Sequence, residues 1–413
     1  MKFFSTNNPS HLVTAREAVL RGLAPDGGLY MPEKIQDSRL DPMSLISAFF
    51  GDEVPADVLK KIVDETLNFP IPLVKVTDRI SALELFHGPT CAFKDVGARF
   101  MARLLGYFVQ EEKKEVTILV ATSGDTGSAV AQGFFGVPGV RVVILYPSGK
   151  VSEMQEKQLT TMGGNITAIE VSGVFDDCQR LVKQAFLDND LTSKFTLTSA
   201  NSINIARWIP QSLYYLSLPS DVVISVPSGN LGNLAAGLLA HRMGAIKPSR
   251  FIAATNANSV VPEFLATGIF APRPSIQTIS NAMDVGNPSN FARIQSLYPN
   301  IDDLRHDVTG SIVSDDETRA TMKKVFEETG YILDPHGAVA FTALSDYLKD
   351  HPTEHGVFLA TAHPAKFAPV VESAIGQPLE IPSSLAECMK KEKHAIACSS
   401  EYEEFKSVLE RIL

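Results

Sequence analysis

From about residue 115 onward the chain alternates short β-branched apolar runs with amphipathic stretches whose apolar residues recur every three or four positions. That alternation is the signature of a parallel sheet flanked by helices. The apolar runs predict strands at Val116–Ala121, Val140–Tyr146, Ile166–Val171, Phe195–Ser199, Val222–Val226, Phe251–Thr255 and Val357–Ala360, most of them closed by a turn containing Gly, Ser, Asn or Pro. Between them Ser152–Met162 and Phe175–Leu187 carry helical periodicity. Ser314-Asp-Asp-Glu317 opens a further helix as a capping box ahead of Met322 and Phe326. The pattern predicts a doubly wound α/β architecture.

The first 80 residues read differently. Leu45–Phe50 and Val58–Val63 have helical spacing and Pro70-Ile-Pro72 is a stiff connector, so a helical N-terminal cap is expected there. Ala271–Asn300 is rich in Pro, Asn and Ser without clear periodicity, which makes it either an active-site loop or a linker. Lys390-Lys-Glu-Lys393 followed by the amphipathic run Tyr402–Ile412 predicts a solvated surface helix. The domain division expected is 1–80 for the cap, 81–215 for a smaller α/β domain and 216–413 for a larger one.

Composition narrows the chemistry. With 413 residues, 45% of them hydrophobic, the chain can bury a sizeable core. A formal charge of −10 argues against nucleic-acid binding, which needs clustered Lys and Arg. No apolar run reaches membrane-spanning length, and the N-terminus lacks a secretory apolar segment, so a cytoplasmic protein without membrane association is expected. Cys91, Cys178, Cys388 and Cys398 are widely spaced, without a CxxC pair, so neither a disulfide scaffold nor a metal site is expected. The partner these features favour is a small molecule.

Two loops suit an anion. Val120-Ala-Thr-Ser-Gly-Asp-Thr-Gly-Ser-Ala129 and Ser225-Val-Pro-Ser-Gly-Asn-Leu-Gly-Asn-Leu234 each place a Gly-rich turn between a buried strand and a helix, where backbone N–H groups can hold a carboxylate or phosphate. Neither has GxGxxG spacing or a P-loop GK[ST], and each alone is equally an ordinary βα turn. Lys94, in His87-Gly-Pro-Thr-Cys-Ala-Phe-Lys-Asp-Val96, is either a buried nucleophilic amine or a surface cation paired with Asp95. Asn204 and Arg207 stand one helical turn apart and either face one anion together or serve a salt bridge; Asp284-Val-Gly-Asn287-Pro-Ser-Asn290-Phe-Ala-Arg293 is similar, or else a turn with helix caps. Thr361 and His363, in Leu359-Ala-Thr-Ala-His-Pro-Ala-Lys-Phe367, follow a strand at the sheet's carboxyl edge, where ligands bind. His336 reads as a satisfied turn residue behind the site.

Taken together, the lysine in Phe93-Lys-Asp95, the upstream His87-Gly-Pro-Thr90, Ser123-Gly-Asp-Thr-Gly-Ser-Ala129, the Gly229–Asn233 loop and Thr361–Phe367 resemble the threonine synthase family. Phe3-Phe-Ser-Thr-Asn7 and Leu23-Ala-Pro-Asp-Gly-Gly-Leu29 extend the resemblance over nearly the whole chain, in its bacterial and fungal form. The resemblance implies a fold-type II pyridoxal 5′-phosphate (PLP) enzyme of two doubly wound α/β domains plus the N-terminal cap. It implies a carbon–oxygen lyase acting on phosphates, which converts O-phospho-L-homoserine and water into L-threonine and phosphate, the last step of threonine biosynthesis. By the same resemblance Lys94 carries PLP and moves protons, Gly229, Asn230, Leu231, Gly232 and Asn233 cradle its phosphate, and Thr361 faces its pyridine nitrogen. Thr122, Ser123, Gly124, Asp125 and Thr126 match the substrate-carboxylate loop. Lys150, Asn204 and Arg207 are the candidates for the substrate phosphate, with Asn201 and Ser202 behind them. A phospholyase releasing 2-oxobutyrate and a non-catalytic phospho-metabolite binder are the competing readings, and monomer or homodimer is left open.

Overall fold

The computed structural model describes residues 1–35 and 41–413. Its strands run, in chain order, β1 Lys2–Ser5, β2 Asn8–Thr14, β3 Tyr30–Pro32, β4 Leu73–Lys75, β5 Ile80–Glu84, β6 Val116–Ala121, β7 Val140–Pro147, β8 Ile166–Ser172, β9 Leu197–Thr198, β10 Val223–Pro227, β11 Arg250–Thr255, β12 Val308–Ile312, β13 Gly356–Ala360 and β14 Ile396–Ser399. They form three sheets, in the orders β2-β1-β3, β12-β11-β10-β13-β5-β4 and β14-β8-β7-β6-β9. The five-stranded sheet is parallel throughout. The six-stranded sheet is parallel except for β4 at its edge.

β6 and β10 are buried along their whole lengths. A parallel strand covered by helices on both faces needs such a continuous apolar run. The predicted strands and the helices Glu153–Thr160, Phe175–Leu187 and Asp315–Thr329 therefore form where the pattern places them, the last with both capping-box bonds made between Ser314 and Glu317. β9 is shorter than expected, at two residues. Among the described residues, no helix is long and apolar enough to cross a membrane.

Three expectations are corrected. The N-terminal region is mixed rather than helical: the antiparallel sheet of β1, β2 and β3 packs with helices Ala15–Arg21, Pro42–Phe50 and Ala56–Thr66. Pro9 and Pro32 obscured these strands in the sequence, yet both occupy edge strands, where a missing N–H disturbs no ladder. The divisions at 80/81 and 215/216 do not follow the sheets. β4 and β5 pair with the later strands of the six-stranded sheet, and β14 returns to the five-stranded one. Finally, helix Tyr402–Ile412 is not simply solvated: Phe405, Val408 and Leu409 pack with Leu145, Val171, Leu181 and Cys398 on the five-stranded sheet. Lys393, just before β14, is likewise engaged, bridging Glu156 at 2.8 Å and Glu170 at 2.7 Å.

The packing of helix Tyr402–Ile412 on the five-stranded sheet is testable. Phe405 is fully buried, so Phe405→Ala is expected to destabilise the five-stranded body by about 3 kcal/mol. The measurement is the urea midpoint, and an unchanged midpoint would show the tail to be dispensable.

Candidate active site

The carboxyl ends of β6, β10 and β13 converge on one cavity of about 330 Å³ between the two large sheets. Loops leaving parallel strands gather there because each strand passes directly into a helix or turn whose N-terminal N–H groups face the cleft. Lys94, Thr122, Ser123, Thr126, Arg207, Gly229–Asn233 and Thr361 all line it.

Lys94 is the first residue of helix Lys94–Glu112. The segment before it is tied to the end of β13, with Phe93 N–H donating to Thr361 O at 2.9 Å and His363 N–H to Cys91 O at 3.0 Å. The amine lies 5.8 Å from the Phe93 ring centroid, and among the described residues it has no hydrogen bond or ion pair. Desolvation brings its ammonium down from 10.5 to about 8; Asp125 opposes that shift while Arg207 and Lys366 add to it. The alternative reading, a surface pairing with Asp95, is not what the structure shows. Asp95 is buried and accepts from Thr90 N–H at 2.9 Å and Thr90 Oγ1 at 2.8 Å, which pins the turn ahead of the lysine.

In the first anion loop Thr122 Oγ1 accepts from Gly124 N–H at 3.0 Å and Gly127 N–H at 2.9 Å. It thereby folds the turn onto the start of helix Asp125–Phe134. Gly124 sits at φ +144°, and a Cβ there would come within 2.4 Å of Gln155, so only glycine closes this turn. Ser123 and Thr126 reach the cavity. Asp125 does not: its carboxylate turns away, to Lys366 Nζ at 2.7 Å and Gln155 Nε2 at 2.9 Å. Burial alone would raise its pKa, but Lys366 and Lys94 outweigh burial and hold it well below the usual carboxylate range.

The second loop precedes helix Gly232–Arg242, with Leu231 in the left-handed region at φ 62°. A Cβ on Gly229 would lie 2.7 Å from Met283 Cα and 2.9 Å from Ala282 O. Asn233 braces the turn through Pro227 O at 2.9 Å. Asn230 donates to Ser202 Oγ at 3.0 Å and accepts from Ser289 N–H at 2.6 Å. The irregular segment 271–300 is therefore part of the site: Arg273–Ser275 and Ala282–Asn287 line the cavity. His336 holds this segment in place, its Nε2 accepting from Ala282 N–H at 3.2 Å and its Nδ1 bonded to Asp334 at 2.6 Å.

Of the three leading phosphate candidates, Lys150, Asn204 and Arg207, only Arg207 faces the cavity. It is buried, donates to Ala200 O at 2.5 Å, and leaves its Nε without a partner. Asn204 is not beside it. Asn204 caps helix Ile205–Trp208, accepting from Ala206 N–H at 2.9 Å and donating to Val19 O at 2.9 Å, so its polar atoms are consumed. Lys150 sits exposed in the turn after β7, outside the cavity lining. Asn201 and Ser202, the weaker candidates, do line the cavity. Arg293 pairs with no carboxylate among the described residues: it is fully buried over Trp208 and donates to Ser202 O and Ile203 O. Lys366 and Gln155 were missed by sequence reasoning; Lys366 lay within a quoted motif but carried no local signal of its partner. The helix-start residues Phe175, Asp176 and Gln179, at the cavity wall, were also missed.

A desolvated amine facing a glycine-lined helix N-terminus, with the Thr361 hydroxyl at a strand end beside it, fits PLP: an aldehyde for the amine, a phosphate for the helix and a ring nitrogen for the hydroxyl. The fold and site define a fold-type II PLP-dependent enzyme, and a family model described as "Pyridoxal-phosphate dependent enzyme" matches residues 71–361. The chain belongs to the threonine synthase family: models described as "Threonine synthase N terminus" and "Threonine synthase, C-terminal" match residues 2–67 and 337–409. Threonine synthase of Serratia marcescens is 46% identical over 411 residues, covering 94% of each chain. The crystal structure of threonine synthase from Escherichia coli superposes with a TM-score of 0.93 at 42% identity over 100% of both chains. That of PLP-bound threonine synthase from Brucella melitensis superposes at 0.90 with 32% identity, over 100% of this chain and 99% of the other.

The cradle yields a prediction. The backbone contacts a Gly229→Ala methyl would meet cost roughly 1–3 kcal/mol of overpacking. PLP affinity should fall roughly ten- to a hundredfold, read by equilibrium dialysis; unchanged affinity would remove this loop from the phosphate site.

Proposed function

We propose that the protein converts O-phospho-L-homoserine and water into L-threonine and inorganic phosphate in the cytoplasm, with Lys94 as its cofactor lysine and proton carrier. The observation that carries this reading is the position of the Lys94 amine, in one cavity with two separate anion-binding walls. The wall formed by Gly229–Asn233 suits the cofactor phosphate, and Thr361 suits its ring nitrogen. The wall formed by Ser123 and Thr126 suits a substrate carboxylate, and Arg207 with Asn201 and Ser202 suits a substrate phosphate. Four free cysteines, three of them buried, fit a reducing compartment.

Bound PLP supplies the electron sink that acidifies the substrate's Cα–H and then its Cβ–H. Between substrate and product Cβ loses a hydrogen and Cγ gains one while Cα keeps its own, so protons must be taken from Cα and Cβ and returned at Cγ and Cα. One amine can serve every step if it exchanges its proton readily near neutral pH, and desolvation favours this by bringing Lys94 down to about 8. The Ser123–Thr126 loop fixes the carboxylate, so that Cα lies under the amine. Arg207 holds the phosphate at the far end of the chain, so that Cγ is where the leaving group departs. Enclosure between the two bodies limits stray water, leaving one water to add at Cβ.

Incubation of PLP-loaded protein with O-phospho-L-homoserine is expected to release phosphate and threonine in equal amounts. Lys94→Ala should abolish both products and the borohydride-trappable cofactor. Phosphate accompanied by 2-oxobutyrate and no threonine would make the enzyme a phospholyase, and retained turnover in Lys94→Ala would refute the lysine assignment. Arg207→Ala should weaken O-phospho-L-homoserine binding roughly a hundredfold, the cost of a charge-assisted contact, while changing PLP affinity far less. Equal loss of both, measured by dialysis, would reduce Arg207 to a structural role.

A further inference from the structure

Near enough to the Lys94 amine to act on its charge is a chain of buried polar side chains to which the mechanism assigns no part. Lys366, on the turn Pro364–Phe367 that follows β13, has a side chain with no solvent exposure. Its ammonium donates to Asp125 Oδ1 at 2.7 Å and to Thr90 O at 2.9 Å. Asp125 opens the helix after the Ser123–Thr126 loop and also accepts from Gln155 Nε2. Gln155 is itself the capping-box residue of helix Glu153–Thr160. Thr90 belongs to the turn before Lys94 and is pinned by Asp95. One ammonium thus joins the end of a strand in the six-stranded sheet, the turn that carries Lys94, and the substrate loop of the five-stranded sheet.

Charge balance makes the arrangement specific. A buried carboxylate without a partner is strongly unfavourable, and so is a buried ammonium. The charged groups acting on the Lys94 amine are Asp125, Arg207 and Lys366. Asp125 by itself would hold a proton on that amine; Lys366 pushes the other way.

We propose that Lys366 is a positioning residue: its ammonium locks the Ser123–Thr126 loop to the end of β13 and cancels the charge of Asp125 at the Lys94 amine. The pair therefore acts on the neighbouring lysine as a near-neutral unit, while its geometry sets the distance between the lysine and the substrate-carboxylate loop. This proposal rests on the assignment of Lys94 as the cofactor lysine.

The test compares Lys366→Met, Asp125→Asn and the double variant as PLP-loaded holoenzymes, by pH titration of the absorbance of cofactor joined to Lys94 and by thermal unfolding. In Lys366→Met the titration midpoint is expected to rise by about half a pH unit or more, and in Asp125→Asn to fall by a similar amount. In the double variant it should return to near the wild-type value. Each single variant should lose several degrees of unfolding temperature, and the double, which buries no unpaired charge, should recover most of it. Midpoints that stay put or move the same way in both single variants would leave only a structural tether and overturn the proposal, as would a double variant no more stable than the sum of its parts. If a single variant does not fold, the double decides: a folded protein with the wild-type midpoint supports the paired unit, and a displaced midpoint refutes it. Lys94→Ala separates the two assignments, because colour that titrates unchanged in that variant fails the lysine reading, while the unfolding cycle still judges the pair.

Discussion

The structure turns on desolvating one amine. In the proposed role Lys94 must be close enough to anionic ligands to react with them and shielded enough from water for its proton affinity to fall toward the neutral range. Burial is the largest influence lowering its proton affinity. Desolvation at the first turn of a helix requires elements that cover most of the side chain. Here the turn before the lysine is stitched to the end of β13, and the far wall of the cavity comes from β6 and β10. Neither sheet could enclose the amine alone, which gives the chain a reason to build two doubly wound bodies and thread between them.

The same constraint explains how the anion sites are built. A cluster of side-chain cations would bring its own hydration and long side chains into a space that must stay small. Helix N-termini at Asp125 and Gly232 offer partial positive charge from backbone groups without adding a titrating side chain. Close approach of backbone to ligand then demands residues without a Cβ, and at Gly229 the space a side chain would need is already filled by Met283 and Ala282. The irregular segment 271–300 supplies that filling and is in turn held by His336. It is irregular because it conforms to a cavity wall rather than to a repeating ladder.

These features differ in how far the sequence discloses them. Strand ends followed by Gly, Ser and Asn turns are local, so both anion loops, Lys94 and Thr361 are visible in the chain as written. Asn204 and Arg207 show where local spacing misleads. Three positions apart places two side chains on one helical face only if both are inside the helix, and Asn204 is its cap, with its amide spent on backbone. Lys366 shows the opposite failure. Its importance lies in Asp125, 241 positions earlier in the numbering, and no periodicity encodes a contact between the end of one sheet and the loop of another. The crossing of β14 into the five-stranded sheet and of β4 and β5 into the six-stranded one is invisible for the same reason: strand partners are chosen by tertiary packing. β2 and β3 were hidden differently, by Pro9 and Pro32, which an edge strand tolerates.

A protein of charge −10 that takes a dianionic substrate needs its attraction to be local, and Arg207 is where that need meets the amine's. Arg207 is buried and its Nε unpartnered, so its charge acts at close range in a medium that screens poorly. While the site is free of phosphate, that charge lowers the proton affinity of Lys94 and so favours the unprotonated state needed to take up an aldehyde. A phosphate seated on Arg207 offsets the same charge, and the proton affinity of a nearby amine then rises. In the proposed arrangement the substrate's leaving group therefore strengthens Lys94 as a base once the substrate is in place, and phosphate departure reverses the change. The near-neutral pairing of Asp125 with Lys366 is what would let this exchange be felt, since an uncompensated carboxylate beside the amine would hold the proton whether or not phosphate were bound.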